Sequence, residues 1–202
     1  MRKIIYNFTS CLLIVGVMLF GLLSCKQKST DTSLKIVAIM PMTGPVAYFG
    51  EQEYWGLALA ADEINASGGI NGRKVELIVE DTQGDPKNAV TLANKYLSNP
   101  DRTIFFVTTS KASKAVIPVT DKAGIDTVAF ASDPDITKLS NHVIRPYMSF
   151  ATEQDVITDF IASKGWKRVA FIRGDDQAFA NEMVYFHEFA KKKGLDLIVE
   201  EI

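Results

Sequence analysis

The stretch LKIVAIMPMTGPVAYFGEQEYWGLALAADEINASGGINGRKVELIVE, residues 34–80, decides the fold. Lys35 to Met40 is a short apolar run rich in β-branched residues. Pro41 stops it, so it reads as a buried strand. Gln52 to Ala66 reads as a helix: Trp55, Leu59 and Asp62 share one side, while Leu57, Ala60, Ala61 and Ile64 recur at i, i+3, i+4 and i+7. Ser67-Gly68-Gly69-Ile70-Asn71-Gly72 ends the helix and turns the chain. Val75 to Glu80 is a second strand. Strand, helix and strand in so short a span make a βαβ unit, whose strands are parallel.

The alternation continues outward to the C-terminus. Asp85 and Pro86 suit an N-cap and first helical position for a helix to about Leu97. Strands follow at Thr103–Val107 and Thr127–Ala131, with a helix at Lys111–Ala123 that Pro118 kinks or ends early. A short strand at His142–Arg145 comes next, then a helix at Thr152–Lys164, a strand at Arg168–Ile172, a helix at Ala178–Lys193 and a last strand at Leu195–Glu200. The fold class is therefore α/β with parallel sheets. The continuous apolar strands fit sheets covered on both faces. Ligands bind such sheets at the carboxyl ends of the strands. The loops that follow the strands, at Pro41–Glu51, Thr108–Ser113, Ala131–Pro134 and Arg173–Phe179, are the candidate site.

At the other end, Arg2 and Lys3 precede a long apolar stretch from Ile4 to Leu23. Ser24-Cys25 and the polar run Lys26 to Ser33 follow it. A charged start, an apolar core and a small residue before the cut make a signal peptide over residues 1–24. The length would also allow a transmembrane helix, but a Cys at the apolar-to-polar boundary favours a lipidation site. Leu22-Leu23-Ser24-Cys25 resembles the bacterial lipobox, in which the Cys thiol takes a diacylglycerol and becomes the new N-terminus. Residues 25–33 then read as a polar tether between lipid and folded domain. Cys11 would leave with the signal, so the mature chain is expected to hold no internal disulfide.

Cleavage after Ser24 would leave 178 of the 202 residues, enough for one domain or one plus part of another. The formal charge of −2 becomes −4 once Arg2 and Lys3 are removed. So mild an acidity gives nucleic-acid binding no support. No G-x-S-x-G, phosphate loop, metal cluster or Cys-His pair is present, so neither an enzyme nor a cofactor site is expected. His187-Glu188 lacks a second His at metal spacing. Asp175-Asp176 suit a cap for the next helix, and Lys191-Lys192-Lys193 suit a solvated helix end.

Three segments carry a family resemblance: Met42-Thr43-Gly44-Pro45-Val46-Ala47-Tyr48-Phe49-Gly50, then Glu63-Ile64-Asn65-Ala66-Ser67-Gly68-Gly69-Ile70-Asn71-Gly72-Arg73, then Asp81-Thr82-Gln83-Gly84-Asp85-Pro86. Together they resemble the leucine/isoleucine/valine-binding proteins, the type I periplasmic substrate-binding proteins of branched-chain amino-acid ABC transporters. The likeness runs from about Leu34 to the end. It implies two Rossmann-like lobes, a first at 34–148 and a second, incomplete, at 149–202. It also implies a small-molecule ligand, an amino acid, held between the lobes. Implied partners are the ABC permease subunits and, through the lipid, a membrane. The implied location is periplasmic or at the cell surface.

The resemblance further implies that first-lobe loops grip the ligand's carboxylate. The matching hydroxyl and main-chain positions are Thr109 and Ser110 in one loop, and Ala131 and Ser132 in the other. Matching aromatic positions are Phe49 and, in the second lobe, Phe179. Helix N-termini and hydroxyls suit an anion, and two aromatic rings suit an apolar side chain. Arg145, before Pro146, is expected to anchor the crossover between lobes.

Departures from the family pattern leave the ligand open between an amino acid, an amide and another small polar solute. Lys111 and Lys114 interrupt a run of small hydroxyl residues. The loop around Ser132 is one residue short and carries Asp133. Phe179 stands where Tyr is common. The chain also stops at Ile202, before the family's acidic partner for the ligand's ammonium and its return to the first lobe. The expectation is a truncated solute-binding lipoprotein. The alternatives are a ligand-sensing protein of the same fold and a non-functional gene fragment.

Overall fold

Seven strands and five helices follow from these apolar runs, in a computed structural model that describes residues 33–98, 103–173 and 177–201. The segment 1–32, with Cys25, lies outside the described residues, as do Asp175 and Asp176. The elements are β1 (Leu34–Met40), α1 (Ala47–Ala66), β2 (Val75–Asp81), α2 (Pro86–Asn94), β3 (Thr103–Thr108) and α3 (Ser110–Lys122). After them come β4 (Thr127–Phe130), a 3₁₀ turn (Pro134–Lys138), β5 (Val143–Ile144), α4 (Phe150–Ser163), β6 (Arg168–Ile172), α5 (Gln177–Lys192) and β7 (Asp196–Glu201).

The first five strands form one parallel sheet in the order β2-β1-β3-β4-β5. Its core lies where Val37, Ile39, Phe105 and Val107 pack against α2 and α3. Ala38 and Met40, on the opposite face, are also fully buried. In the second lobe β6 and β7 pair in parallel, with an irregularity between Val169 and Ala170. Met183, Phe186, Ala190 and Leu195 pack over one face of that pair.

Three local features explain how the sequence folds this way. Asp85 caps α2 by accepting from the Lys87 N–H at 2.8 Å, with Pro86 in the first turn. Asn65, near the end of α1, accepts from the Val75 N–H and donates to the Val75 carbonyl, both at 2.8 Å, so one side chain pins the start of β2. Gly69 has φ +84°, and a Cβ there would sit 2.1 Å from the Arg73 carbonyl oxygen. Only glycine fits that turn.

Two expectations are corrected. α1 begins at Ala47, not Gln52, so Phe49 stands in its first turn rather than in a loop, 57% exposed. Gly50 does not break the helix, because it lets α1 close on the backbone of Pro41, where a Cβ would meet the carbonyl oxygen at 2.1 Å. The first sheet is also not covered evenly. α1 packs over β2, and Ile104 on the central β3 and Ile144 on the edge strand β5 stay exposed. On that side Phe106 stacks on Phe130, which meets the Tyr147 ring edge-on. Pro118 sits inside α3 without ending it.

Candidate functional site

β1 lies between β2 and β3, so the chain leaves it in one direction and returns on the other side. That reversal opens a crevice at the carboxyl ends of β1 and β3, the place where ligands bind open α/β sheets. Three loops leave the carboxyl ends of β1, β3 and β4.

The first loop, after β1, is held by Asp81 at the end of β2. One carboxylate oxygen accepts from the N–H groups of Met42 (2.9 Å), Thr43 (3.2 Å) and Gln83 (2.8 Å), and the other from the Thr43 hydroxyl at 2.6 Å. Partial burial would raise this carboxyl's pKa, but the four donors outweigh it and hold it below the usual carboxylate value.

The second loop is Thr109–Ser110, between β3 and α3. Thr109 has φ +69°, costly for a β-branched residue, and its hydroxyl caps α3 by accepting from the Ala112 N–H at 3.3 Å. Strain at a helix N-terminus is a feature of sites that hold a ligand. Ser110 opens the helix, and its hydroxyl accepts from the Asp133 N–H at 3.3 Å. That bond joins it to the third loop, Ala131–Asp133. Ala131 is buried and its carbonyl accepts from Arg145 at 3.3 Å, while Arg145 also donates to the Tyr147 carbonyl. The Ser132 carbonyl accepts from the Phe150 N–H at 3.0 Å, linking the loop to the start of α4. Arg145 therefore ties the third loop to the segment that follows β5.

Thr109, Ser110, Ala131 and Ser132 are thus brought together by direct bonds or adjacent positions. Phe49 stands apart on α1 with its ring against Tyr48. Phe179 lies in the first turn of α5, not in a loop, and its side chain is outside the described residues.

Sequence reasoning missed three participants. Lys114, one turn into α3, forms an ion pair with the Asp133 carboxylate. Asp133 also accepts from the Asp135 N–H at 2.9 Å, starting the 3₁₀ turn. The negative charge that seemed hostile to a bound carboxylate is therefore compensated. Tyr185 on α5 has its pKa raised by burial and then by Asp135 and Asp133, so a second-lobe phenol lies within electrostatic reach of this loop. Glu53 on α1 is the third. Burial pushes its carboxyl up to about 7, against a smaller lowering by the Thr108 hydroxyl.

A strained hydroxyl loop and a helix N-terminus therefore sit together at the switch point of an open α/β sheet. Residues 33–202 match the family described as periplasmic binding protein, and the chain belongs to that family. A Leu/Ile/Val-binding protein of Rhizobium johnstonii is 41% identical over 109 residues, 52% of this chain and 29% of the relative. A Leu/Ile/Val-binding protein homologue of Brucella melitensis is 29% identical over 80% of this chain and 44% of the relative. Among solved structures, a solute-binding protein of an ABC transporter from Rhodopseudomonas palustris, in complex with 3,4-dihydroxybenzoic acid, superposes with a TM-score of 0.74. It is 25% identical, covering 85% of this chain and 47% of that one. The branched-chain amino-acid binding protein LivJ of Streptococcus pneumoniae, in complex with isoleucine, shares the fold, with a TM-score of 0.73 and 22% identity over 84% of this chain and 49% of that one. The chain spans about half or less of the length of these relatives.

Proposed function

We propose that this protein is an exported solute-binding component of an ABC transporter. It takes up a small carboxylate, foremost a branched-chain or other small amino acid, and presents it to the permease subunits without transforming it. The observation that carries this reading is the bond between Ser110 and the Asp133 N–H. It sets two loops side by side, and in this reading the N–H groups at the start of α3 and the hydroxyls of Thr109, Ser110 and Ser132 are the proposed donors to the anion. Phe49, exposed on α1, and Phe179 are the apolar contacts proposed for the ligand's side chain. Lys114 supports the reading by cancelling Asp133, whose free charge would repel the ligand. Cleavage before Cys25 and its lipidation would keep the domain near the membrane that holds the permease.

The test is thermal melting of the 202-residue chain with leucine, isoleucine, valine and 4-hydroxybenzoate in turn. A ligand at 100 times its Kd adds about 2.7 kcal/mol of stability, a shift that melting resolves easily. A raised midpoint with at least one carboxylate, and the same molecule recovered unchanged, is expected. A midpoint that none of the four moves contradicts the reading.

A further inference from the structure

The turn from α4 into β6 gathers aromatic rings and cations on one surface. Val156 and Phe160 stand four residues apart on α4 and so share a face of the helix. Both are exposed, at 61% and 55%. Trp166, just past the helix and 56% exposed, meets the Phe160 ring edge-on at 6.2 Å. Lys164 Nζ lies 5.2 Å from the centroid of the same ring. Lys167 and Arg168 follow in the chain and are exposed as well. Large apolar side chains left together in solvent mark a contact surface.

Cations outnumber acids around these rings. The Asp196 N–H donates to the Lys167 carbonyl at 2.7 Å, which brings the end of α5 beside the turn. There Lys193 bridges Asp155 and Asp159 of α4, at 2.7 and 2.8 Å, and Lys192 pairs with Glu188. Over residues 155–168 and 188–196, six Lys and Arg side chains stand against four carboxylates, a net +2 in a chain of formal charge −2. A helix dipole favours cations in a last turn. It gives no reason for Trp166 and Phe160 to stay in solvent, or for Lys167 and Arg168 to lie beyond the helix.

We propose that this surface docks on an anionic lipid bilayer, with Trp166 and Phe160 entering the headgroup layer and Lys164, Lys167 and Arg168 meeting the lipid phosphates. Trp rings settle at membrane interfaces, and an anionic leaflet attracts each cation held close to it. Lysine stems lie along apolar surface while their charges stay in water. Lys164 and Lys167 carry their charges on flexible stems, which suits a plane of many equivalent anions; an acidic protein would hold its carboxylates at fixed places. The inference is independent of the anion grip, because the turn lies at the amino end of β6, opposite the loop that follows that strand.

The test uses the full chain, which has two tryptophans, Trp55 and Trp166. Trp55→Phe leaves Trp166 as the reporter, and Trp166→Phe leaves Trp55. The apolar stretch 4–23 can bring the chain to any vesicle, so the readout is contact at the ring rather than recovery of protein with lipid. Brominated phosphatidylcholine vesicles, pure or with about a quarter phosphatidylglycerol, quench a tryptophan that enters them. Quenching of Trp166 should be about threefold or more stronger on the anionic vesicles, while Trp55 shows no such preference. Lys164→Glu with Lys167→Glu should abolish the preference, and so should about 0.5 M salt, which needs no variant at those positions. Trp166 quenched equally on both vesicles, or on neither, overturns the proposal. So does a preference that survives both charge reversal and salt, or one that Trp55 shares.

Discussion

Lys114, one turn into α3, forms an ion pair with Asp133, which lies beyond β4 in the neighbouring loop. The carboxylate is mostly buried and the ammonium is half exposed, so the pair is weakly screened on the side that faces the site. Lys114→Ala would leave Asp133 uncompensated. Binding of a carboxylate ligand should weaken by about 3- to 10-fold, on the order of 1 kcal/mol. The double variant Lys114→Ala with Asp133→Asn should recover most of it. Calorimetric titration of the single and double variants checks this, and equal losses in both would contradict it.

Asp81 ties the first loop through four hydrogen bonds and has its pKa lowered. A depressed carboxyl stabilises the fold above its unfolded pKa and loses that contribution as pH falls through its folded value. Asp81→Asn should therefore be less stable than wild type at pH 7. The gap should shrink below about pH 4. Urea melts at the two pH values measure it.

Asn65 holds both backbone groups of Val75. Asn65→Ala strands the Val75 N–H and carbonyl near the start of β2 and should cost about 1–3 kcal/mol. For a chain of this size that is a fall of roughly 2–10 °C in the melting midpoint, to be read by circular dichroism. Asn65→Asp keeps the acceptor and should lose less.

Gly50 lets α1 close on Pro41. Gly50→Ala must push the helix off the first loop, because the obstacle is backbone rather than a flexible side chain. Ala is the better helix former, so propensity alone predicts a gain. The expected result is instead a lower melting midpoint and weaker ligand binding.

Most of the strands and helices are legible because most apolar runs end on a Pro, a Gly or an Asp-Pro cap. The start of α1 is not, because Gly50 resembles a helix breaker until Pro41 is seen against it. Asp133 looks hostile to an anion in one dimension, since its partner Lys114 lies on another loop's helix. Glu53 carried a readable signal. It precedes Leu57 by four residues and so falls on the inward stripe of Leu57, Ala61 and Ile64, where a carboxylate is out of place. The trio Thr109, Ser110 and Ser132 came from the family likeness, and the sequence pattern alone would have left them ordinary cap and loop residues.

Isothermal titration with leucine and with leucinol, which has the same side chain but no carboxylate, tests the carboxylate grip most directly. The account predicts saturable binding of leucine, none of leucinol, and a loss of about tenfold or more for leucine in Ser110→Ala, as expected when a hydrogen bond to a charged group is removed. Equal binding of leucine and leucinol, or leucine binding untouched by Ser110→Ala, would contradict it.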